Sequence, residues 1–177
     1  MTALINASTS SGVVVTSDTS GSLAFQSNGT TIMTVASTGV STQVGAPCFS
    51  AVCDGTQSIS SSTYVKILFA TEAFDTNNNF ASSTFTPTVA GYYQLNSYVN
   101  TQTGSGTGES LVVLYKNGSA YRRGTDTKSD NYGKGVNAIV YANGTTDYFE
   151  IYFYQGSGST LTANNVCYFD GAMIRSA

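Results

Sequence analysis

The side chains best suited to chemistry in this 177-residue chain are few and scattered. The acids closest in sequence are Asp126 with Asp130 and Asp147 with Glu150. A glycosidase needs two carboxyls at a set separation flanking a sugar. Asp147 and Glu150 lie three apart, which puts them on opposite faces of a strand. The chain has no histidine, so the commonest general base and the commonest metal ligand are missing. A cysteine nucleophile at Cys48, Cys53 or Cys167 has no imidazole to activate it. No Gly-x-Ser-x-Gly elbow and no phosphate loop occurs. The run from Asp75 to Asn79 offers oxygen ligands for calcium, but one carboxylate makes a poor calcium site. An Asn-rich turn needs no ion to explain it. The chemistry legible in the residues is therefore that of a non-enzyme with no cofactor and no metal.

The three cysteines are an odd set, which argues against a complete secreted disulfide framework. Cys48 and Cys53 are five apart and face opposite sides of an unbroken strand. They pair only across a bend or bulge. The plainer reading is small buried thiols in a reducing compartment. The seven basic residues place four between positions 122 and 134, diluted by Asp126 and Asp130. With a net charge of −3 and no basic stripe, the chain does not read as a nucleic-acid binder.

Composition says which elements hold these residues. Only 10% of the chain is charged, well under the usual ~25%. Ser and Thr, 49 residues together, take the place of charge, and twelve Tyr with nine Phe supply the aromatics. Solvated helices need Glu, Lys and Arg outside, so the expected class is all-β. The N-terminus lacks the basic and apolar regions of a signal peptide, and no apolar run is long enough for a membrane helix. The expectation is a chain made and assembled in the cytoplasm, with no membrane partner. Asn6, Asn28, Asn117 and Asn143 each begin an Asn-x-Ser/Thr triplet, as chance provides in so Ser/Thr-rich a sequence.

The composition shifts near position 45. Residues 1–45 hold 18 Ser or Thr and a single charge, Asp18. Their apolar groups, such as Val13 to Val15, are too small to make a core. Residues 22–35 read as two short strands around the Asn28-Gly29 turn. A lone hairpin is marginal in water, so this arm needs other chains to order it. From Ala46 onward the pattern predicts strands near 47–53, 63–69, 80–86, 91–100, 109–117, 119–124, 135–142, 147–155 and 166–174. In the 147–155 strand, Phe149, Ile151 and Phe153 share one face and Tyr148, Glu150, Tyr152 and Tyr154 the other. Asn117-Gly118 and Asn143-Gly144 suit tight turns. Pro47 and Pro87 suit strand starts or edges. So many short strands predict an antiparallel sandwich or barrel.

Phe69, Asp75, Phe80, Phe85, Gly91 and Tyr93 follow one another with a spacing that resembles the signature of the complement-type globular head. That head is a jelly roll related to the tumour-necrosis-factor fold. Leu111 to Gly118 resembles its central strand and Lys-Asn-Gly turn. Tyr168 to Ile174, with Gly171, resembles its closing strand. The chain departs from the signature in a shorter Phe80–Phe85 spacing, and has Leu95 and Ser97 where the family has aromatics. In physical terms the aromatics are core or subunit-interface residues, Gly91 and Gly171 serve close backbone approach, and Asp75 caps a turn. The stretch from Gly21 to Val35 resembles a segment met in tailed-bacteriophage structural proteins.

The resemblance implies a homotrimer in which residues 46–177 form the jelly-roll head. The expected function is a non-enzymatic virion surface protein of a tailed phage. Residues 1–45 would anchor it to a capsid or tail protein, as a capsid decoration (cement) protein or a head fibre. Alternatives are the tip of a tail fibre that recognises a host glycan, a soluble lectin-like module, and last a sugar-cleaving enzyme. A ligand surface would lie in the loops 102–108, 122–133 and 156–164. Tyr121, Arg122, Arg123 and Tyr132 are suited there to stacking on or hydrogen bonding a glycan or protein. The plainer reading of each is a solvated hairpin residue.

Overall fold

The computed structural model of the chain describes residues 20–102, 108–128 and 132–177. Val13 to Val15 and most of the 102–108 loop lie outside the described residues, as does Asp130. Among the described residues there is no helix. The chain divides into two units, residues 1–45 and 46–177.

In the first unit, β1 (Leu23–Ser27), β2 (Thr30–Val35) and β3 (Ser41–Gln43) form an antiparallel sheet in that order. Asn28 (φ 50°) and Gly29 (φ 77°) turn β1 into β2, and Ser27 pairs with Thr30. Positive φ at both central residues matches the right-handed twist of the strands. The expected hairpin is thus present, joined by a third strand whose three polar residues gave no signal. No described residue of this unit is buried.

The second unit is a sandwich. Its strands are β4 (Cys48–Val52), β5 (Gln57–Ile59), β6 (Thr63–Lys66), β7 (Thr71–Asp75), β8 (Phe80–Ala81), β9 (Thr84–Phe85) and β10 (Gly91–Val99). They continue as β11 (Thr101–Gln102), β12 (Ser110–Lys116), β13 (Ser119–Thr127), β14 (Lys134–Ala142), β15 (Phe149–Gln155), β16 (Leu161–Ala163) and β17 (Tyr168–Ser176). One sheet has the order β14-β10-β17-β4-β7. The facing sheet runs β13-β12-β15-β9-β8, with β6 also paired to β15. A small sheet, β11-β16-β5, continues beyond one end of the first.

Alternation drives the packing. Tyr93, Leu95 and Val99 of β10 and Phe149, Ile151 and Phe153 of β15 all point inward and are buried. Phe49 is the hub: its ring stacks 4.3 Å from Phe85 and 4.9 Å from Phe80, and meets Phe169 edge-on at 5.0 Å. Offset and edge-on pairs like these stabilise beyond their area alone.

Two expected elements differ, and three short strands were not foreseen. The 63–69 strand ends at Lys66, because the chain there leaves the β15 side and enters the other sheet as β7. Ile67 and Phe69 still point into the core, which is why their alternation read as strand. The 80–86 strand is instead the tiny hairpin β8–β9, turned by Ser82 (φ 50°) and Ser83 (φ 58°). The Ser83 hydroxyl accepts the Phe69 N–H at 2.8 Å, which holds that turn against the core. The bridges β5, β11 and β16 were too short to show a period.

Candidate functional site

The residues of the 69–93 pattern converge inside the sandwich. Phe69, Phe80, Phe85 and Tyr93 are all buried in one cluster. The Tyr93 hydroxyl donates to Val89 O at 2.7 Å, and burial pushes its pKa up to about 12. Asp75 spends both oxygens on its own turn. Oδ1 accepts Asn77 N–H at 3.2 Å and Oδ2 accepts Phe80 N–H at 2.6 Å. Its carboxylate is thus committed to backbone, and the described residues hold no group of three His, Cys, Asp or Glu placed to share a metal. A Cβ on Gly171 would meet Phe49 Cε1 at 2.5 Å and Leu95 Cδ2 at 2.6 Å. A Cβ on Gly91 would collide with Arg175 O and Met173 Cε. Gly171 lets β17 close over the Phe49 ring, and Gly91 lets β10 approach the β17 backbone.

Of Tyr121, Arg122, Arg123 and Tyr132, the structure brings the first two together. Tyr121 packs against the core, and the Arg122 guanidinium lies 4.3 Å from its ring centroid. Arg123 pairs with Glu109 at 3.2 Å and Asp126 at 3.6 Å. Tyr132 is 70% exposed. Asp147 and Glu150 each serve a structural ion pair, with Lys116 at 2.8 Å and Lys66 at 2.7 Å respectively. Burial raises the Asp147 pKa. Hydrogen bonds from Asn117, Lys116 and the Asn143 N–H outweigh it and hold the carboxyl below its ordinary value.

The unclaimed surface is the outer face of the β14-β10-β17-β4-β7 sheet. Register places Tyr92 opposite Tyr141 and Gln94 opposite Ile139, and sets Tyr98 beside Tyr168. The Tyr92–Tyr141 rings lie 5.6 Å apart and the Tyr98–Tyr168 rings stack at 5.9 Å. Ile139 is 60% exposed and Phe74 51%. Between them lies a cleft of ≈ 320 Å³ bounded by Cys48, Ser50, Phe74, Gln94, Asn96 and Asp170. Asp170 Oδ1 is buried there and, among the described residues, has no hydrogen-bond partner. An orphaned buried acceptor is costly. The face thus combines exposed rings with an unmet polar group. The alternation of residues 91–100 already places Tyr92, Gln94, Asn96 and Tyr98 together, but it does not say which strands flank them.

The facing sheet carries a different outer surface. Tyr115 stacks on Tyr152 at 4.0 Å, and Tyr64 lies 5.0 Å from Tyr154 and 6.2 Å from Tyr115. Register sets Tyr154 beside Leu111 and Tyr152 beside Val113, and both of these aliphatic residues are buried. Desolvation raises the pKa of Tyr115 and Tyr152.

Known structures share the architecture. The globular domain of zebrafish complement 1qA protein superposes with a TM-score of 0.54 at 17% identity, over 74% of this chain and 99% of that one. Murine APRIL superposes with a TM-score of 0.53 at 11% identity, over 73% and 99%. PRD1 vertex protein P5 fits more loosely, at a TM-score of 0.49 and 12% identity over 73% and 97%, too loosely to speak to role. No family profile matches the chain, and no curated protein matches it in sequence. The head is a complement- and tumour-necrosis-factor-like jelly roll, and identities this low speak to fold alone.

Proposed function

We propose that the chain is a non-enzymatic virion surface protein of a tailed phage. Its jelly-roll head forms a homotrimer, and the residues before 46 anchor it to the particle. The observation that carries the reading is the outer face of the β14-β10-β17-β4-β7 sheet. Tyr92, Ile139, Tyr141 and Phe74 are apolar surface that one sandwich leaves in water. Large exposed patches of this kind mark association sites. A second copy laid on the face covers those rings and brings a donor to Asp170 Oδ1. Domains of this fold typically form homotrimers, which favours closed threefold symmetry over a twofold pair.

The arm supports the anchoring half. Its sheet has no inside, and a groove of ≈ 620 Å³ bounded by Phe25, Ile32, Met33, Gln43 and Val44 runs along it. Such a sheet is completed by another protein, through backbone pairing and small apolar anchors. Three arms per trimer add avidity without strong single contacts. The Gly21–Val35 resemblance favours a phage particle as that partner. The ordered sheet of the arm favours a shell-attached protein, a capsid decoration or head fibre, assembled in the host cytoplasm.

A second reading is a tail-fibre tip that binds host glycan. The Tyr64–Tyr154–Tyr115–Tyr152 ladder favours it, because sugars stack on and hydrogen bond to tyrosines.

Sedimentation of the purified chain at micromolar concentration tests the trimer: three chain masses are expected, and a monomer overturns it. Density for this chain on the shell lattice of an intact particle is the expected location. Density at the fibre tip, with tight and specific glycan-array binding, would replace the shell reading with the second.

A further inference from the structure

We propose that Cys53 and Cys167 are a redox pair that closes into a cross-strand disulfide inside the head. The geometry comes from the pairing of β4 with β17. Ala51 faces Phe169 and Val52 faces Tyr168, so one step further Cys53 faces Cys167. The backbone confirms that register: Cys53 N–H donates to Cys167 O at 3.0 Å. Directly opposed residues of antiparallel strands have Cα atoms ~4.5–5.5 Å apart, inside the ~4.4–6.8 Å range of disulfides. Both side chains point to the same side. Ala51, Cys53, Cys167 and Phe169 all belong to the buried core.

The pair is poised unequally. Cys53 donates to Leu68 O at 3.1 Å, and the neighbouring Cys167 and then burial push its pKa up. Cys167 donates to Asn164 O at 3.0 Å and accepts the Asn100 N–H at 3.3 Å, and the neighbouring Cys53 with these backbone partners holds its pKa below the ordinary thiol value. Cys53 also lines a cleft of ≈ 160 Å³ with Asp54, Gln57 and Leu68. Cys167 has no exposure at all. Access, not acidity, therefore sets entry at Cys53, and the more acidic Cys167 resolves.

With glutathione disulfide as oxidant the step balances. The Cys53 sulfur loses its proton and attacks one sulfur of glutathione disulfide. That S–S bond breaks, and one glutathione leaves as a thiol. The Cys167 sulfur, deprotonated in turn, attacks Cys53 and expels the second glutathione. Two protons and two electrons leave the protein, and one S–S bond is gained. Cys48 takes no part, because it points out of the other face of β4. The bond would tie the first strand of the head to the last. It closes a loop over everything between, so it constrains the unfolded chain strongly.

The test equilibrates the full chain with glutathione disulfide and compares it with the dithiothreitol-reduced protein by intact mass. The expected product is lighter by two hydrogens. Cleavage after Phe49 separates Cys48 from Cys53, and the linked peptides should carry Cys53 and Cys167. Cys48→Ser should behave as the natural chain does, while Cys53→Ser should lose the mass change. The linked protein should melt higher by on the order of 10 °C. Three free thiols after equilibration overturn the proposal. So does a glutathione left on Cys53, a link through Cys48, or an unchanged melting temperature. The linked-peptide map uses the natural chain, so the proposal stays open to refutation even if Cys53→Ser fails to fold.

Discussion

Residues 20–45 and residues 46–177 are both short antiparallel strands with Ser and Thr on their outer faces, yet only the second unit has an inside. In the head, every other residue of β10 and β15 is buried against a facing sheet. In the arm, β1 is exposed along its whole length, and Ile32 of β2 is 49% exposed. The difference is layers. Alternation stabilises a strand only where a second sheet removes the apolar side from water. The head supplies its own second sheet, and the described residues 20–45 show none. The same reasoning applies once more to the head. Its β14-β10-β17-β4-β7 sheet is covered on one face only, and the other still presents aromatic rings to solvent.

That contrast can be broken at several points. The largest effect is expected from Ile139→Asp combined with Tyr141→Asp. Both residues are on the open face and outside the core. Sedimentation should show the trimer mass replaced by that of one chain, with an unchanged far-ultraviolet β spectrum. A trimer that survives would place the interface elsewhere. Deletion of residues 1–45 should do the reverse. The head should keep its melting temperature and trimer mass while co-sedimentation with particles is abolished. Continued particle binding by the truncated trimer would overturn the anchoring account.

Within the head, Gly171→Val should destabilise by ~1–3 kcal/mol, because overpacking the site between Phe49 and Leu95 forces strain. Denaturant unfolding measures it, and an unshifted midpoint would mean the rings can move aside. Asp147→Asn should cost ~1–2 kcal/mol at neutral pH, through the weakened bonds to Lys116, Asn117 and the Asn143 backbone. The pH dependence has a fixed sign. The folded pKa of Asp147 is lowered, so its contribution is complete above the ordinary carboxylate value of 3.8. That contribution is lost as pH falls through the lower folded value. Asp147→Asn should therefore flatten the acid limb of stability, and a variant with the natural limb would remove Asp147 as its source. The smallest effect belongs to the arm. Gly29→Ala strains a positive-φ turn by ~1 kcal/mol, and should weaken particle binding several-fold without moving the melting transition of the head.

Much of the head was legible in the residues. Clear alternation located the long strands β10, β12, β14, β15 and β17 within a residue or two. Asn117 and Asn28, each followed by glycine, marked their turns because positive φ is cheap there. The strands that escaped have two to five residues and little period, like β5, β11 and β16, or follow a chain crossing between sheets, like β7. The site was less legible. On β13 the Arg122 guanidinium lies over Tyr121 while Arg123 is held in ion pairs, and Tyr132 lies beyond the strand, exposed.

The sequence alone determined the class of this protein and its division into a coreless arm and a head with a core. Charge content and alternation are local quantities, and they survive without knowledge of what packs on what. The tertiary structure decided everything that depends on strand order. It set β10 between β14 and β17, which gathers Tyr92, Tyr98, Tyr141 and Tyr168 on one open face around Asp170. It also laid β17 beside β4, which brings together two cysteines from opposite ends of the head. The physical reason is that a sheet is stabilised by pairings between distant segments. No local pattern of residues records which partner a strand will take.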